Sequence, residues 1–242
     1  MRRAAAGTEA DGKQESDMPV IVVANPKGGA GKSTASLVIG TGLAEQGGEV
    51  CIIDADPQGS LASWAEGESQ YKGIVAALDD MARLAEAIEA MRESHGFVVV
   101  DLQGAATLAM AEAMAMADLV VIPTQATTLD TEVAIKAVGA IRAQEARLRR
   151  SVPFQFLVTR TNALIATREE AAIMKAIREA GLPVFATSLN QRVAFSQMFA
   201  QKLALDELVP GSVNGLAAAK ANAGQLVKEL LDILRLQQGQ AR

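Results

Sequence analysis

The sequence has very little cysteine and few aromatic residues, and both shortages limit what the chain can do. Cys51 is the only cysteine among 242 residues, so a disulfide or a thiolate metal cluster within one chain is excluded. Aromatic residues make up 3% of the chain, too few for a surface that stacks on single-stranded nucleic acid. Because Cys51 lies in the apolar run 50–53, we expect a buried thiol and a reducing compartment.

The sequence also lacks a long apolar run. No stretch approaches the roughly 20 apolar residues that are needed to cross a bilayer. Residues 1–17 are polar and rich in Ala, Gly and Ser, without the apolar segment of a secretory signal. We predict a disordered tail over residues 1–17 and one ATPase domain over residues 18–242.

Charge is unevenly distributed along this acidic chain, whose net charge is −5. Residues 1–140 hold 9 Lys+Arg and 20 Asp+Glu, whereas residues 141–242 hold 14 and 8. One interpretation is a basic face in the C-terminal half, suited to the phosphates of DNA. The other is that these charges solvate separate helices.

Apolar runs bounded by turn residues alternate with segments of helical periodicity. The predicted strands cover residues 20–24, 50–53, 97–101, 119–122, 154–158 and 184–186. The predicted helices cover residues 32–46, 81–94, 107–115, 131–149, 168–180 and 214–236. This alternation predicts a single-domain α/β fold, doubly wound, with a mainly parallel sheet flanked by helices.

A glycine-rich loop follows the first predicted strand and runs directly into a helix. Its glycines let the backbone wrap a polyphosphate with N–H groups pointing inward, and the helix N-terminus adds its dipole. Lys32 supplies a charge to the β- and γ-phosphates, and the Ser33 hydroxyl suits Mg²⁺. This P-loop pattern, a Walker A motif without the usual first glycine, predicts that ATP is held by Lys27, Gly28, Gly29, Ala30, Gly31, Lys32, Ser33 and Thr34.

Lys27, a second lysine at the entrance of the loop, resembles the deviant Walker A motif of the ParA/MinD superfamily. In that superfamily this lysine reaches across a nucleotide-sandwich dimer to the phosphates of the partner subunit. The resemblance implies that Lys27 joins Lys32 in the catalytic set only after dimerisation, when its charge stabilises phosphoryl transfer. The alternative is a solvated loop charge.

Two acidic segments follow the loop. Asp54-Ala55-Asp56-Pro57-Gln58-Gly59 resembles the D-x-D-P-Q-G segment of ParA proteins, which implies that Asp56 orients or activates the attacking water and that Asp54 lies near the metal. We assign the catalytic role to Asp56 alone. An apolar run ends at Asp101 in a Walker B pattern, and we expect Asp101 to hold Mg²⁺ through water.

The chain departs from the family after this acid, because Leu102-Gln103-Gly104 replaces the Thr-Pro-Pro of many ParA proteins. Gly104 preserves a flexible switch, and Gln103 either orders water or fills space. The switch and the stretch 118–130 resemble the conjugative-transfer branch that enhances T-DNA processing. An accessory ATPase of conjugative DNA transfer is therefore one alternative function.

Two later segments resemble family contacts with adenine and DNA. The segment 157–162 resembles the one beside the adenine in MinD-like relatives, which implies that Arg160 and Asn162 contact the base. The segment 190–195 resembles the R-x-A-F/Y segment of ParA proteins. Together with the basic C-terminal half, it predicts that DNA is contacted by Arg192, Lys202 and Lys220. The alternative for each is an ordinary charge on a helix surface.

The resemblance implies an Mg²⁺-dependent ATPase that forms a homodimer with ATP and is slow without a partner. We expect it to bind duplex DNA non-specifically on the nucleoid of a bacterial cytoplasm, and to partition or position cargo. A ParB-like or cargo-adaptor protein would stimulate hydrolysis. A plasmid is the first expectation for the cargo and a protein cluster the second.

The residues argue against two other uses of such an ATPase. A MinD-like ATPase at the membrane would need an amphipathic end with basic flanks, but residues 225–236 carry acids among their bases and lack aromatic anchors. Packing of this helix on the domain core explains its apolar face better. Electron delivery, as in the nitrogenase iron protein, needs two cysteines per chain and is rejected because Cys51 is alone.

Overall fold

The computed structural model describes residues 18–103, 108–162 and 167–240. Its strands are β1 (Val20–Val23), β2 (Val50–Ala55), β3 (Val75–Ala77), β4 (Phe97–Leu102), β5 (Leu119–Gln125), β6 (Phe154–Thr161) and β7 (Leu189–Asn190). They form one parallel sheet in the order β3-β2-β4-β1-β5-β6-β7. The predicted tail over residues 1–17 lies outside the described residues.

Helices cover both faces of this sheet. They are α1 (Lys32–Glu45), α2 (Ser60–Ala65), α3 (Leu84–Arg92), α4 (Leu108–Met116), α5 (Thr128–Leu148), α6 (Arg168–Glu179), α7 (Val193–Gln201) and α8 (Leu216–Gln240). Ile21 and Val23 face a core shared with α1, α2, α7 and α8. Val20 and Val22 face a second core, shared with α3 to α6. This two-sided burial confirms the predicted doubly wound α/β fold.

Two glycines allow α1 to approach its neighbours closely. A methyl group on Gly40 would lie 2.4 Å from Cδ1 of Ile52 in β2. A methyl group on Gly42 would lie 2.8 Å from Cγ2 of Val227 in α8. The helix is therefore fixed between the sheet and α8, and the loop that precedes it is fixed as well.

The strand predicted over residues 184–186 is wrong. Val184 makes only an isolated bridge with Phe156, and β7 lies further along at Leu189–Asn190. The ladder stops because the amides of Ala186 and Thr187 donate to the side chain of Glu229 instead of to a strand, at 2.6 and 2.8 Å.

Other differences concern short elements. We did not predict β3, α2 or α7. β3 and α2 have three and six residues, too few for a clear periodic signal. The helix predicted over 81–94 begins with a 3₁₀ turn at Met81–Arg83 before α3. Residue 107, where another predicted helix begins, lies outside the described residues.

Two predictions about burial are confirmed. The apolar face of α8 packs into the core through Leu226, Val227 and Leu230. Cys51 is buried, and burial raises the pKa of its thiol to about 11. Among the described residues, no helix is both long enough and apolar enough to cross a membrane.

Candidate functional site

The phosphate loop, residues 25–32, leaves the carboxyl end of the central strand β1 and leads into α1. Asn25 is buried and shapes its start: its Nδ2 donates to the carbonyl of Pro123 at 2.6 Å, and its Oδ1 accepts from the amide of Lys27 at 2.8 Å. Gly31, at φ 95°, is the N-cap of α1. This left-handed conformation suits glycine and turns the loop into the helix.

Side chains from two neighbouring strands brace the loop through its carbonyl groups. Gln125 at the end of β5 donates from Nε2 to the carbonyl of Gly29 at 3.0 Å. Thr159 in β6 donates from Oγ1 to the carbonyl of Ala30 at 2.9 Å. These contacts use acceptors only, so they leave the N–H groups of the loop available for an anion.

The predicted phosphate-binding side chains lie around this loop. Lys32 is buried in the first turn of α1, whereas Ser33, Thr34 and Lys27 are half-buried. Gly28 and Gly29 are exposed. Lysine is rarely buried without a partner, and a bound phosphate would supply the compensating charge for Lys32.

Asp101 and Asp54 end neighbouring strands in direct register. Asp101 is fully buried, and Ser36 of α1 donates to its Oδ1 at 3.1 Å. Burial raises the pKa of Asp101 to about 7 and the charge of Asp54 adds to the rise, while Ser33, Ser36 and Lys32 act in the opposite direction. Oδ2 of Asp101 is buried without a hydrogen-bond partner in the described part of the chain. An oxygen in this state fits the water shell of a divalent cation.

The carboxylate of Asp54 is occupied by backbone amides. Its Oδ2 accepts from Leu61 and Ala62 at 2.9 and 2.8 Å, and its Oδ1 accepts from Asp56 at 3.3 Å. Asp54 thereby anchors the start of α2 and the turn that carries Asp56. Its predicted contact with the metal stays a prediction.

Asp56 lies at the turn between β2 and α2, in a more accessible setting. It is half-buried, its Oδ1 accepts from the amide of Gln58 at 3.0 Å, and its carbonyl accepts from Gly59 at 2.8 Å. The two acids have different roles in the local structure. The carboxylate of Asp54 is bonded to backbone amides, whereas Asp56 lies in the accessible turn. The catalytic role of Asp56 stays a prediction.

A pocket of about 520 Å³, here called the β6–β7 pocket, opens beside the phosphate loop. Gly31 and Thr34 form its loop side, and Arg160 lies at a bulge of β6 with φ 57°. The remaining wall comprises Thr159, Leu189, Asn190, Gln191, Arg192, Val193, Phe195, Ser196 and Phe199. Its size and its mixture of apolar and polar walls suit a nucleoside.

The structure separates the two predicted adenine contacts. Arg160 lines the β6–β7 pocket, whereas Asn162 lines a different pocket, of about 590 Å³, between α6 and α8. Thr159 and Gln125, which brace the loop, were missed by the sequence analysis. Both follow apolar strand residues at the edge where ligands of parallel sheets bind, and that position was the available signal.

The predicted DNA contacts have different surroundings. Arg192 is half-buried in the wall of the β6–β7 pocket, where its Nε has no hydrogen-bond partner among the described residues. Lys202 forms an ion pair with Glu66 at 2.9 Å, and Lys220 donates to the carbonyl of Asp206 at 3.2 Å. The structure therefore does not bring the three together as one set of exposed charges. In the switch after β4, Gln103 is exposed and Gly104 lies outside the described residues.

A family model and curated relatives both match most of the chain. The family model described as "VirC1 protein" matches residues 18–219. Protein ParA of Rhizobium radiobacter is 32% identical over 222 residues, which cover 90% of this chain and all of that protein. The maintenance of carboxysome distribution protein A of Gloeobacter kilaueensis is 34% identical over 169 residues, 69% of this chain and 74% of that protein.

Solved structures agree with the fold. Apo McdA from Cyanothece superposes with a TM-score of 0.72 at 19% identity, covering 88% of this chain and 99% of that one. The cell division protein MinD of Aquifex aeolicus has a TM-score of 0.64 at 18% identity, covering 88% and 97%. The family model that matches most of the chain and the 32% identity to ParA over its whole length show that the chain belongs to the VirC1 family, within the ParA/MinD superfamily of P-loop ATPases.

Proposed function

We propose that this chain is a positioning ATPase that is switched by ATP and works as a dimer. The observation that carries the proposal is the meeting, at one edge of the sheet, of the braced phosphate loop, Lys27 at its rim and the buried Asp101. Lys32 and the loop amides would hold the phosphates, while Ser33 and Asp101 would hold Mg²⁺. The cation would neutralise charge on the phosphoryl group, and Asp56 would orient water.

The nucleoside end of ATP is assigned to the β6–β7 pocket. This assignment places the base and ribose against Arg160 and the wall that follows β7, next to Gly31 and Thr34. Nucleotide and metal as ligands are supported by two structures of the same fold: a McdA variant in complex with ATP, and a cobyrinic acid a,c-diamide synthase with bound ADP and magnesium. Asn162 is proposed only as a more distant contact, because it lines another pocket.

Dimerisation is proposed because Lys27 has the position of the superfamily's signature lysine. We expect Lys27→Ala to bind ATP with near-normal affinity and to stay monomeric with ATP, whereas the wild type dimerises. Lys72→Ala is a matched control, since Lys72 is an exposed lysine that pairs only with the neighbouring Glu68. Size-exclusion chromatography with light scattering measures the mass. An ATP-dependent dimer of undiminished stability in Lys27→Ala would overturn the role in trans.

Duplex DNA is proposed as the surface on which the ATPase moves its cargo, and the contacts are with phosphates rather than with bases. The charge of residues 141–242 supports it, with Arg192, Lys202 and Lys220 as the proposed contacts. We expect a gel shift with ATP, none with ADP, and a loss of binding as salt increases. Lys220→Ala should lower the slope of log affinity against log salt by about 1, whereas Lys175→Ala, which removes a lysine paired with Glu179, should not.

The cargo is proposed to be DNA of a plasmid, delivered with a partner that stimulates hydrolysis. A putative plasmid partition protein of Borrelia burgdorferi shares this fold, with a TM-score of 0.61. A protein cluster is the second candidate, because two relatives are named for the maintenance of carboxysome distribution. Conjugative DNA transfer is a third, on the resemblance of the Leu102–Gly104 switch. Fluorescent fusions separate them: the foci would follow a plasmid, a protein cluster or a conjugation site.

A further inference from the structure

Asn222 is a buried amide on the otherwise apolar inner face of α8. It is 7% exposed, and its neighbours on that face, Ala219, Ala223 and Leu226, belong to the core. Both ends of its amide are used: Oδ1 accepts from the amide of Asn190 at 3.0 Å, and Nδ2 donates to the carbonyl of Ser188 at 2.8 Å. A buried amide stabilises a fold only where such partners compensate for its lost hydration.

The hydrogen bonds continue from Asn190 to the phosphate loop. Nδ2 of Asn190 donates to Oγ1 of Thr161 at 2.8 Å, and the amide of Gln191 donates to the carbonyl of Thr161 at 2.9 Å. Thr161 and Thr159 flank the left-handed Arg160, and Thr159 donates to Ala30 of the loop. One connected path therefore leads from α8 through β7 and β6 to the loop.

We propose that Asn222 is a positioning residue for the nucleoside end of the nucleotide. Asn222 fixes the position of β7 relative to the phosphate loop. Because β7 is bonded to β6, this also fixes Gln191 and the bulge at Arg160, and so sets the width of the β6–β7 pocket. The wall needs this anchor because β7 has only two residues, too few to fix the register of an edge strand alone. The inference rests on the proposed binding of ATP at this site.

The test separates the nucleoside from the phosphates by using two probes, ATP and inorganic tripolyphosphate, each with Mg²⁺. Asn222→Ala removes the hydrogen bond to Asn190 of the wall and the one to Ser188, which precedes β7, and should raise the Kd for ATP about tenfold. The Kd for tripolyphosphate should change less than about twofold, because the bracing of the loop by Gln125 and Thr159 is intact. Isothermal titration calorimetry measures both.

Glu229→Ala is the matched control on the same helix. Glu229 also anchors α8 to the neighbouring segment, but its partners Ala186 and Thr187 line only the other pocket, whereas Asn190, the partner of Asn222, lines both pockets. Its ratio of ATP to tripolyphosphate affinity should equal that of the wild type. Asn222→Asp, which keeps the acceptor for Asn190 and loses the donor to Ser188, should give an intermediate ratio and carries the test where the alanine variant does not fold.

Two outcomes would overturn the inference. Equal weakening of both probes by the Asn222 variants, or an equal change of the ratio in Glu229→Ala, would reduce Asn222 to a general support of the fold. Failure of the wild type to bind either probe would instead overturn the proposed nucleotide site itself. A wild type that binds both probes equally well would overturn the assignment of the pocket.

Discussion

The carboxyl ends of β2 and β4 hold acids in direct register, yet the two acids have opposite surroundings. Asp54 accepts hydrogen bonds from three backbone amides. Asp101 accepts from the hydroxyl of Ser36 on Oδ1, and its buried Oδ2 has no partner in the described chain. The first carboxylate is satisfied by the protein and builds the turn. The second carboxylate has a buried oxygen that no described group of the protein satisfies, and this lowers the stability of the fold.

The largest effect on stability is expected at Asp54. Asp54→Ala leaves the amides of Leu61 and Ala62 without their acceptor and should lower the free energy of unfolding by about 3 kcal/mol. Urea unfolding followed by the fluorescence of Trp64 measures this, since Trp64 is the only tryptophan and is buried in α2. Asp56→Ala, which removes one amide contact from the same turn, is the control. Equal losses in the two variants would contradict the anchoring role of Asp54.

Asp101 should respond in the opposite direction. Its pKa is about 7 in the folded chain and about 3.9 in an unfolded one, so the folded state binds an extra proton between these values. Without Mg²⁺ or nucleotide, the free energy of unfolding of the wild type should therefore fall as pH rises from about 4 to 7. Asp101→Asn carries no charge at this position. At pH 8 its free energy of unfolding should be about 2 kcal/mol higher than that of the wild type.

The same variant carries an internal control at low pH. At about pH 3 the carboxyl of Asp101 is protonated in both the folded and the unfolded wild type, so the two proteins should unfold at similar urea concentrations. Mg²⁺ with ATP should stabilise the wild type and leave Asp101→Asn almost unchanged. A pH-independent difference between the two proteins would show that packing, rather than buried charge, decides the effect.

The sequence predicts the two acids equally well but cannot distinguish their roles. Both follow an apolar strand, and that local pattern also predicted the phosphate loop and the doubly wound sheet. The partners of Asp54 depend on α2, a helix of six residues that gives no clear periodicity. Gln125 and Thr159, which brace the loop, lie 96 and 129 residues along the chain from the loop carbonyls that they contact.

The pocket wall was harder still to predict. The strand predicted at 184–186 is displaced to 189–190 because Glu229 and Asn222, on a helix more than 30 residues later, take the backbone groups between. Arg192 lies in the pocket wall, a position that the family segment alone did not predict. Local patterns therefore predicted the elements, while tertiary partners decided which face each functional side chain meets.

The smallest effect on stability, and the largest on rate, is expected at Asp56. Its half-buried carboxylate makes one local contact, so Asp56→Ala should change the free energy of unfolding by less than about 0.5 kcal/mol. If Asp56 orients the attacking water, ATP turnover should fall by about 100-fold or more. Phosphate release measures the rate, and size-exclusion chromatography should show a dimer that persists with ATP. Normal turnover in Asp56→Ala would contradict the role of Asp56 in orienting the attacking water.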